Sequence, residues 1–427
     1  MTESIRPVER LTASVQPPRL PGIDVARALA IFGMVAAHVA SGPPAVDITH
    51  PSTYPALVHG RPSILFALLA GVSLSLMTGR GTRPATPDAA RITRLQLIGR
   101  ALAIFFVGLL LELLGTGIAV ILTFYGVLYF VSLPFVWAKT RTLVATGLTL
   151  GLVGPSVLAV IDYLVPQSTM STATDLVLGV AYSLPTFWGI LLLGMAIGRL
   201  NLTNTRVLAG MVAVGVCAST VGYGVGTTIG NTDGPTGAGM NHGDRQSGST
   251  SKLAQLISQL KQKKQQQPNG NQKLDPSPEK PEEGTPAPGI VSKWGQYRES
   301  LGSAQEFGKS IKDSVVSSTP HSGGAAEFIG SGGCALIIVG LCQLVVTRAR
   351  RWFIPLAVTG AMPLTIYTAH VIVVFAAVGP GGRISSNLLY WTLVMGSIAG
   401  ANAWMAFCGR GPLERFPRWL GGKIAGQ

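Results

Sequence analysis

The sequence returns again and again to long apolar runs, and these fix what it can become. A run of about 18 residues or more crosses a roughly 30 Å hydrocarbon layer as a helix. Inside lipid the backbone must satisfy its own hydrogen bonds, so helix is the expected conformation. Runs of this kind lie at 23–41, 62–79, 99–116, 118–137, 143–163, 176–198, 206–226, 328–347, 352–378 and 386–407. Leu102 to Trp137 is too long for one span, and "GTG" at 115–117 is its natural turn. The expected fold is all-α, a polytopic bundle of about ten spans. Only 12% of residues are charged, where a soluble domain has about a quarter. That excludes a large soluble core, which would need a charged surface around it.

Basic residues orient the bundle. Arg6, Arg10 and Arg19 precede the first run, and Arg80, Arg83, Arg91, Arg94 and Arg100 lie around the second connection. Lys139 with Arg141, Arg199 with Arg206, and Arg348, Arg350 and Arg351 follow, and Arg410, Arg415, Arg418 and Lys423 close the chain. With alternating spans all fall on one side, while the short loops opposite carry Arg61 and Arg383. The positive-inside rule then makes both termini cytoplasmic. The polar start, with its prolines, reads as a tail and not as a cleavable signal. The basic charge is thus topological, and no nucleic-acid partner is expected. Cys217, Cys334, Cys342 and Cys408 have the spacing of neither a metal cluster nor a disulfide framework, and no metal is expected.

The expected organisation is a cytoplasmic tail (1–22), spans one to seven (23–226), an insertion (227–327), spans eight to ten (328–407) and a basic cytoplasmic tail (408–427). The insertion is rich in Gln, Lys, Pro, Gly and Ser and reads as extracytoplasmic, largely disordered chain. Within it Leu253, Leu256, Ile257 and Leu260 recur at helical spacing ahead of Lys261, Lys263 and Lys264, and Trp294, Tyr297 and Leu301 form a second such stretch.

Ionisable groups inside spans are costly and mark candidate sites. Asp24 and Arg27 are three apart on one face of span one and can pair. His38, eleven residues after Arg27, shares that face. Glu112 lies near the outer end of span three. Thr365, Tyr367 and His370 follow Pro363 in span nine, with His370 at mid-membrane. His59 stands at the outer water boundary just ahead of Arg61 and span two, and an imidazole suits base chemistry near neutrality.

Four stretches resemble a known family. "LPGIDVARALAIFGMVAAH" and "ILFALLAGVSLSLM" resemble the first two helices of membrane acyltransferase-like proteins. "GAMPLTIYTAHVIVV" is similar to a late helix of that group, and "RGPLERFPRWL" to the G-P-L-E tail of YeiB-like proteins. These are bacterial relatives of heparan-α-glucosaminide N-acetyltransferase. The resemblance covers roughly 20–137 and 328–420 and skips the insertion. It implies a multi-pass protein of the bacterial plasma membrane that takes an acyl group from cytoplasmic acyl-CoA (acetyl-CoA). The acceptor would be an envelope glycan or a lipid at the outer face.

His59 matches the family's key histidine in position. The Trp of the family's H-x-x-W-x-G-like pattern is absent, and Pro62 and Ser63 stand after Arg61. In this reading His59 is the base or acyl carrier and His38 and His370 line the crevice. Arg27, Arg80, Arg83, Arg91 and Arg94 meet donor phosphates. The alternative is a non-enzymatic transporter or lipid-handling protein with a polar path through Asp24, Arg27, Glu112 and His370. A third is a scaffold whose insertion recruits an envelope partner. Membrane lipids are partners in every case, and self-association into a homo-oligomer stays open.

Overall fold

The computed structural model describes residues 7–14, 16, 19–40, 61–164, 182–229, 304–319 and 322–427. The chain divides into two compact units: Met1–Thr232 with Ala304–Gln427, and Asp233–Ser303. The second lies outside the described residues, as do His59 and the two helical stretches expected at 253–264 and 294–301.

The regular elements described are helical throughout. They are α1 (Pro7–Ser14), α2 (Pro21–Val39), α3 (Arg61–Met77), α4 (Pro87–Glu112), α5 (Leu122–Val131), α6 (Thr140–Leu164) and α7 (Leu184–Ile197). There follow α8 (Thr205–Ile229), α9 (Ala304–Val316), α10 (Ala325–Ala349), α11 (Ile354–Gly360), α12 (Pro363–Val378), α13 (Asn387–Cys408) and α14 (Pro412–Ile424). Starts are marked as the sequence suggests. Thr86 Oγ1 caps α4 by accepting from Ala89 N at 3.3 Å, and Pro87 stands in its first turn. Ser386 Oγ caps α13 through Leu389 N at 3.3 Å.

Among the described residues, five stretches are long and apolar enough to cross a membrane: α2, α4, α6, α8 and Ala325–Gly360. Counting α13 with α14, bent by 56°, as one span makes six. The helices α3, α5, α7 and α12 are apolar but shorter. The protein is therefore an all-α, multi-pass membrane protein.

Helix α4 starts at Pro87, ahead of the expected run at 99–116, and four other departures have an identifiable cause. The run 118–137 is helical only over α5. Ser132 Oγ turns back onto Leu128 O at 2.7 Å, Pro134 has no N–H to give, and the chain continues as the 3₁₀ turn Leu133–Phe135. The run 352–378 is two helices, broken at Ala361 and Met362 ahead of Pro363. The end of the expected insertion is ordered into the helical unit. There α9 meets α6 through Tyr163 and Phe307, ring centroids 4.5 Å apart, and through Ser156 and Ser314 at 3.1 Å. The expected basic tail contains α14, which lays Gly421 against Gly99 of α4.

Helix α3 packs so tightly on α7 that a side chain at Gly71 would meet the Leu191 carbonyl, and one at Gly194 the Leu68 carbonyl. Backbones approach this closely only where the residues are small. Replacing Gly71 by Leu forces the helices apart, and overpacking of this kind costs about 1–3 kcal/mol. The expected result is a clear fall in melting temperature of the detergent-solubilised protein. Gly396→Leu, at a position with open space around it, should melt like the wild type.

Candidate functional site

The histidines of α2 and α12 meet. His38 Nδ1 and His370 Nε2 are 3.2 Å apart, and the rings stack with centroids 5.4 Å apart and planes 7° from parallel. One nitrogen must hold the shared proton and the other must be bare for that bond to exist. His370 is 1% exposed. The Tyr367 and His370 rings meet in a T-shaped arrangement, centroids 4.8 Å apart. The Tyr367 hydroxyl accepts from Ile121 N at 3.2 Å, which fixes that ring, itself 1% exposed.

Among the described residues, two connections close around this end of the bundle. Ser386 N donates to Val39 O at 2.7 Å, one residue past His38. Gly381 N donates to Gly115 O at 2.7 Å, tying the α12–α13 connection to the one between α4 and α5. His59, which lies in sequence between α2 and α3, is outside the described residues. Arg61 Nε donates to the Tyr223 hydroxyl at 2.9 Å, and its guanidinium lies 4.8 Å from that ring's centre. Tyr223 in turn bonds Ser331 Oγ at 2.9 Å. Glu112 is exposed and accepts from Thr123 Oγ1 at 2.6 Å.

Three turns away along α2, Arg27 Nη1 donates to Asp24 Oδ1 at 2.5 Å and to Gly360 O at 3.0 Å. Its Nη2 donates to Ser73 Oγ at 2.9 Å, and Ser73 passes the chain on to Leu69 O at 2.6 Å. One guanidinium thus joins α2, α3 and α11. The four groups of the polar-path alternative do not form one chain of bonds here: Asp24 and Arg27 hold each other, Glu112 holds Thr123, and His370 holds His38.

Thr365 gives both N (3.0 Å) and Oγ1 (2.5 Å) to the Glu414 carboxylate. An acceptor from α14 therefore ties down the first turn of the helix that carries Tyr367 and His370. Arg80 and Arg83 are exposed in the α3–α4 connection, Arg80 with φ 56° in the turn Gly79–Gly81. Arg91 is exposed on α4, and Arg94 lies over Trp137 at 4.9 Å. Among the described residues, no three His, Cys, Asp or Glu side chains converge as metal ligands would.

Sequence reasoning did not single out Ser73, Tyr223, Ser331 or Glu327. The first three are hydroxyls that acquire meaning only from a partner far along the chain. Glu327 had a signal, a lone carboxylate at the edge of an apolar run. In the fold it is 3% exposed and accepts from Gly323 N at 2.8 Å at the start of α10.

Residues 19–211 match the family model described as heparan-alpha-glucosaminide N-acetyltransferase, catalytic. The match covers less than half of the 427 residues. It takes in α2 to α7 and the start of α8, with Asp24, Arg27, His38, Arg61, Arg80, Arg83 and Glu112, and stops short of α12. No curated protein matches the chain. The match supports homology of this segment to that acetyltransferase family, and with it acyl transfer in a membrane setting.

Proposed function

We propose that the protein is an integral membrane acyltransferase of the bacterial plasma membrane. It would move an acyl group, acetyl in the simplest case, from cytoplasmic acyl-CoA to a glycan or lipid acceptor at the outer face. The match of 19–211 to a catalytic acetyltransferase model carries the reading. The part-buried His38–His370 pair gives it a chemical centre.

The shorter helices α3, α5, α7 and α12 would cross along with the longer spans, making ten crossings with both termini cytoplasmic. His38, His370 and His59 would then share the outer end. The arginine-rich connection between α3 and α4 would face the donor. Arg27 is committed to packing, so Arg80 and Arg83 are the better partners for donor phosphates.

In the transfer, a bond forms between the acyl carbon and the acceptor oxygen or nitrogen, and the C–S bond to CoA breaks. A histidine takes the acceptor's proton, and the leaving thiolate is protonated in turn. His59 would be that base or would carry the acyl group in passing, with the His38–His370 pair lining the path and handing the proton on.

Labelled acetyl-CoA added to inverted membrane vesicles tests the reading. Label should appear on an envelope glycan or lipid fraction, and it should be lost in His59→Ala. Transfer unchanged in that variant removes His59 from the mechanism. No transfer from any acyl-CoA favours the transporter alternative.

A further inference from the structure

Between α6, α7, α8 and α10 a groove of about 520 Å³ opens on the flank of the bundle. That is within the range of small-molecule sites, roughly 300–1,000 Å³. Its walls are hydrocarbon, among them Leu148, Ile190, Val214 and Leu336. Along α8 it is lined from Val207 to Ala218. Eleven residues of helix rise about 16 Å, which is half of a ~30 Å hydrocarbon layer. The groove therefore has the depth of one leaflet.

One end of it is chemically different. Thr140, Ile197, Leu200 and Val207 line the groove where α6 and α8 begin and α7 ends. Lys139 and Arg141 flank Thr140, Arg206 adjoins Val207, and all three are exposed. No ion pair engages them among the described residues. Arg199, by contrast, is spent on the backbone, donating to Ala138 O at 2.5 Å and Val136 O at 3.2 Å. Those bonds hold the α7–α8 connection against the start of α6. The N-termini of two long helices thus lie at the same end as three uncommitted cations, and both features favour an anion.

We propose that this groove is a binding site for an anionic phospholipid. One acyl chain lies along α8, and the phosphate sits among Lys139, Arg141 and Arg206. An apolar slot one leaflet deep, whose end residues Thr140 and Val207 adjoin three exposed cations in sequence, matches that amphiphile. A zwitterionic lipid of equal chain length would forgo the charge match. By the positive-inside rule this mouth faces the cytoplasmic leaflet, where anionic headgroups concentrate.

The test uses the full-length protein in detergent with two probes, dioleoyl phosphatidylglycerol and dioleoyl phosphatidylcholine. Retained lipid is counted by native mass spectrometry, and melting temperature is followed. The wild type should retain the anionic lipid about tenfold more tightly than the neutral one and gain melting temperature from it. The triple variant Lys139→Gln, Arg141→Gln, Arg206→Gln should lose that preference. So should Gly210→Leu, which fills the groove from a position where an added Cβ meets nothing within 4 Å. Arg348→Gln with Arg351→Gln, at another basic connection, should keep it. Equal retention of the two lipids by the wild type would overturn the proposal. So would an undiminished preference in Gly210→Leu, or its loss in the Arg348 and Arg351 variant. Displacement of the bound lipid by oleoyl-CoA at equal concentration would assign the groove to a thioester donor instead and also overturn it.

Discussion

Replacing His370 by Gln should lower acyl transfer by at least about 100-fold while leaving the melting temperature within a few degrees of wild type. The magnitude follows from what a positioned imidazole contributes to proton transfer, about 10²–10⁴-fold. A glutamine keeps a polar group near His38 but cannot exchange a proton near neutrality. If the pair acts as a unit, His38→Gln should cost nearly as much, and the double variant little more than either alone. That non-additivity distinguishes a shared proton from two independent packing residues. A purely structural pair would give the opposite pattern, with transfer near wild type in the glutamine variants and a lowered melting temperature in the alanine ones. Activity within threefold of wild type in His370→Gln would remove the pair from the chemistry.

How much of this arrangement is legible in the sequence depends on the range of the physics involved. Apolar runs are local, so membrane class and helical architecture can be read directly, and α2, α6, α8 and α10 lie close to the expected spans, whereas α4 starts at Pro87, well ahead of the expected run at 99–116. Ends set by a single group are harder. Nothing in hydropathy marks Ser132 folding back on Leu128, or α14 turning away by 56°. Candidate residues were visible one at a time because ionisable groups stand out against hydrocarbon. Their partnerships were not. His38 and His370 are 332 positions apart, and only the packing of α12 on α2 makes them neighbours. Spacing predicted that Asp24 could pair with Arg27, since three residues on a helix is a local relation. It could not predict Ser73 and Gly360, which turn that pair into a junction of three helices. Glu414 stood in a tail stretch quoted for its resemblance, and its grip on Thr365 emerges only when α14 folds beneath α12.

The junction at Arg27 carries the largest expected stability effect. The two side chains are only 16% and 12% exposed, so the pair lies largely out of water. Replacing Arg27 by Met keeps much of the side chain's bulk and deletes its donors. Asp24 then remains mostly buried without its partner, and Gly360 O and Ser73 Oγ each lose a donor. Breaking a buried pair from one side costs about 3–5 kcal/mol, and this cost should appear as a strongly lowered melting temperature or as loss of folded protein. Arg27→Met together with Asp24→Asn should recover part of it, because a neutral amide is easier to bury than an unpaired carboxylate. Lysine should rescue poorly, since one ammonium lacks the planar fork that reaches Asp24, Gly360 and Ser73 together. If Arg27→Met instead melts like the wild type and raises the apparent KM for acyl-CoA, the guanidinium serves the donor, and the helix junction is held by packing alone.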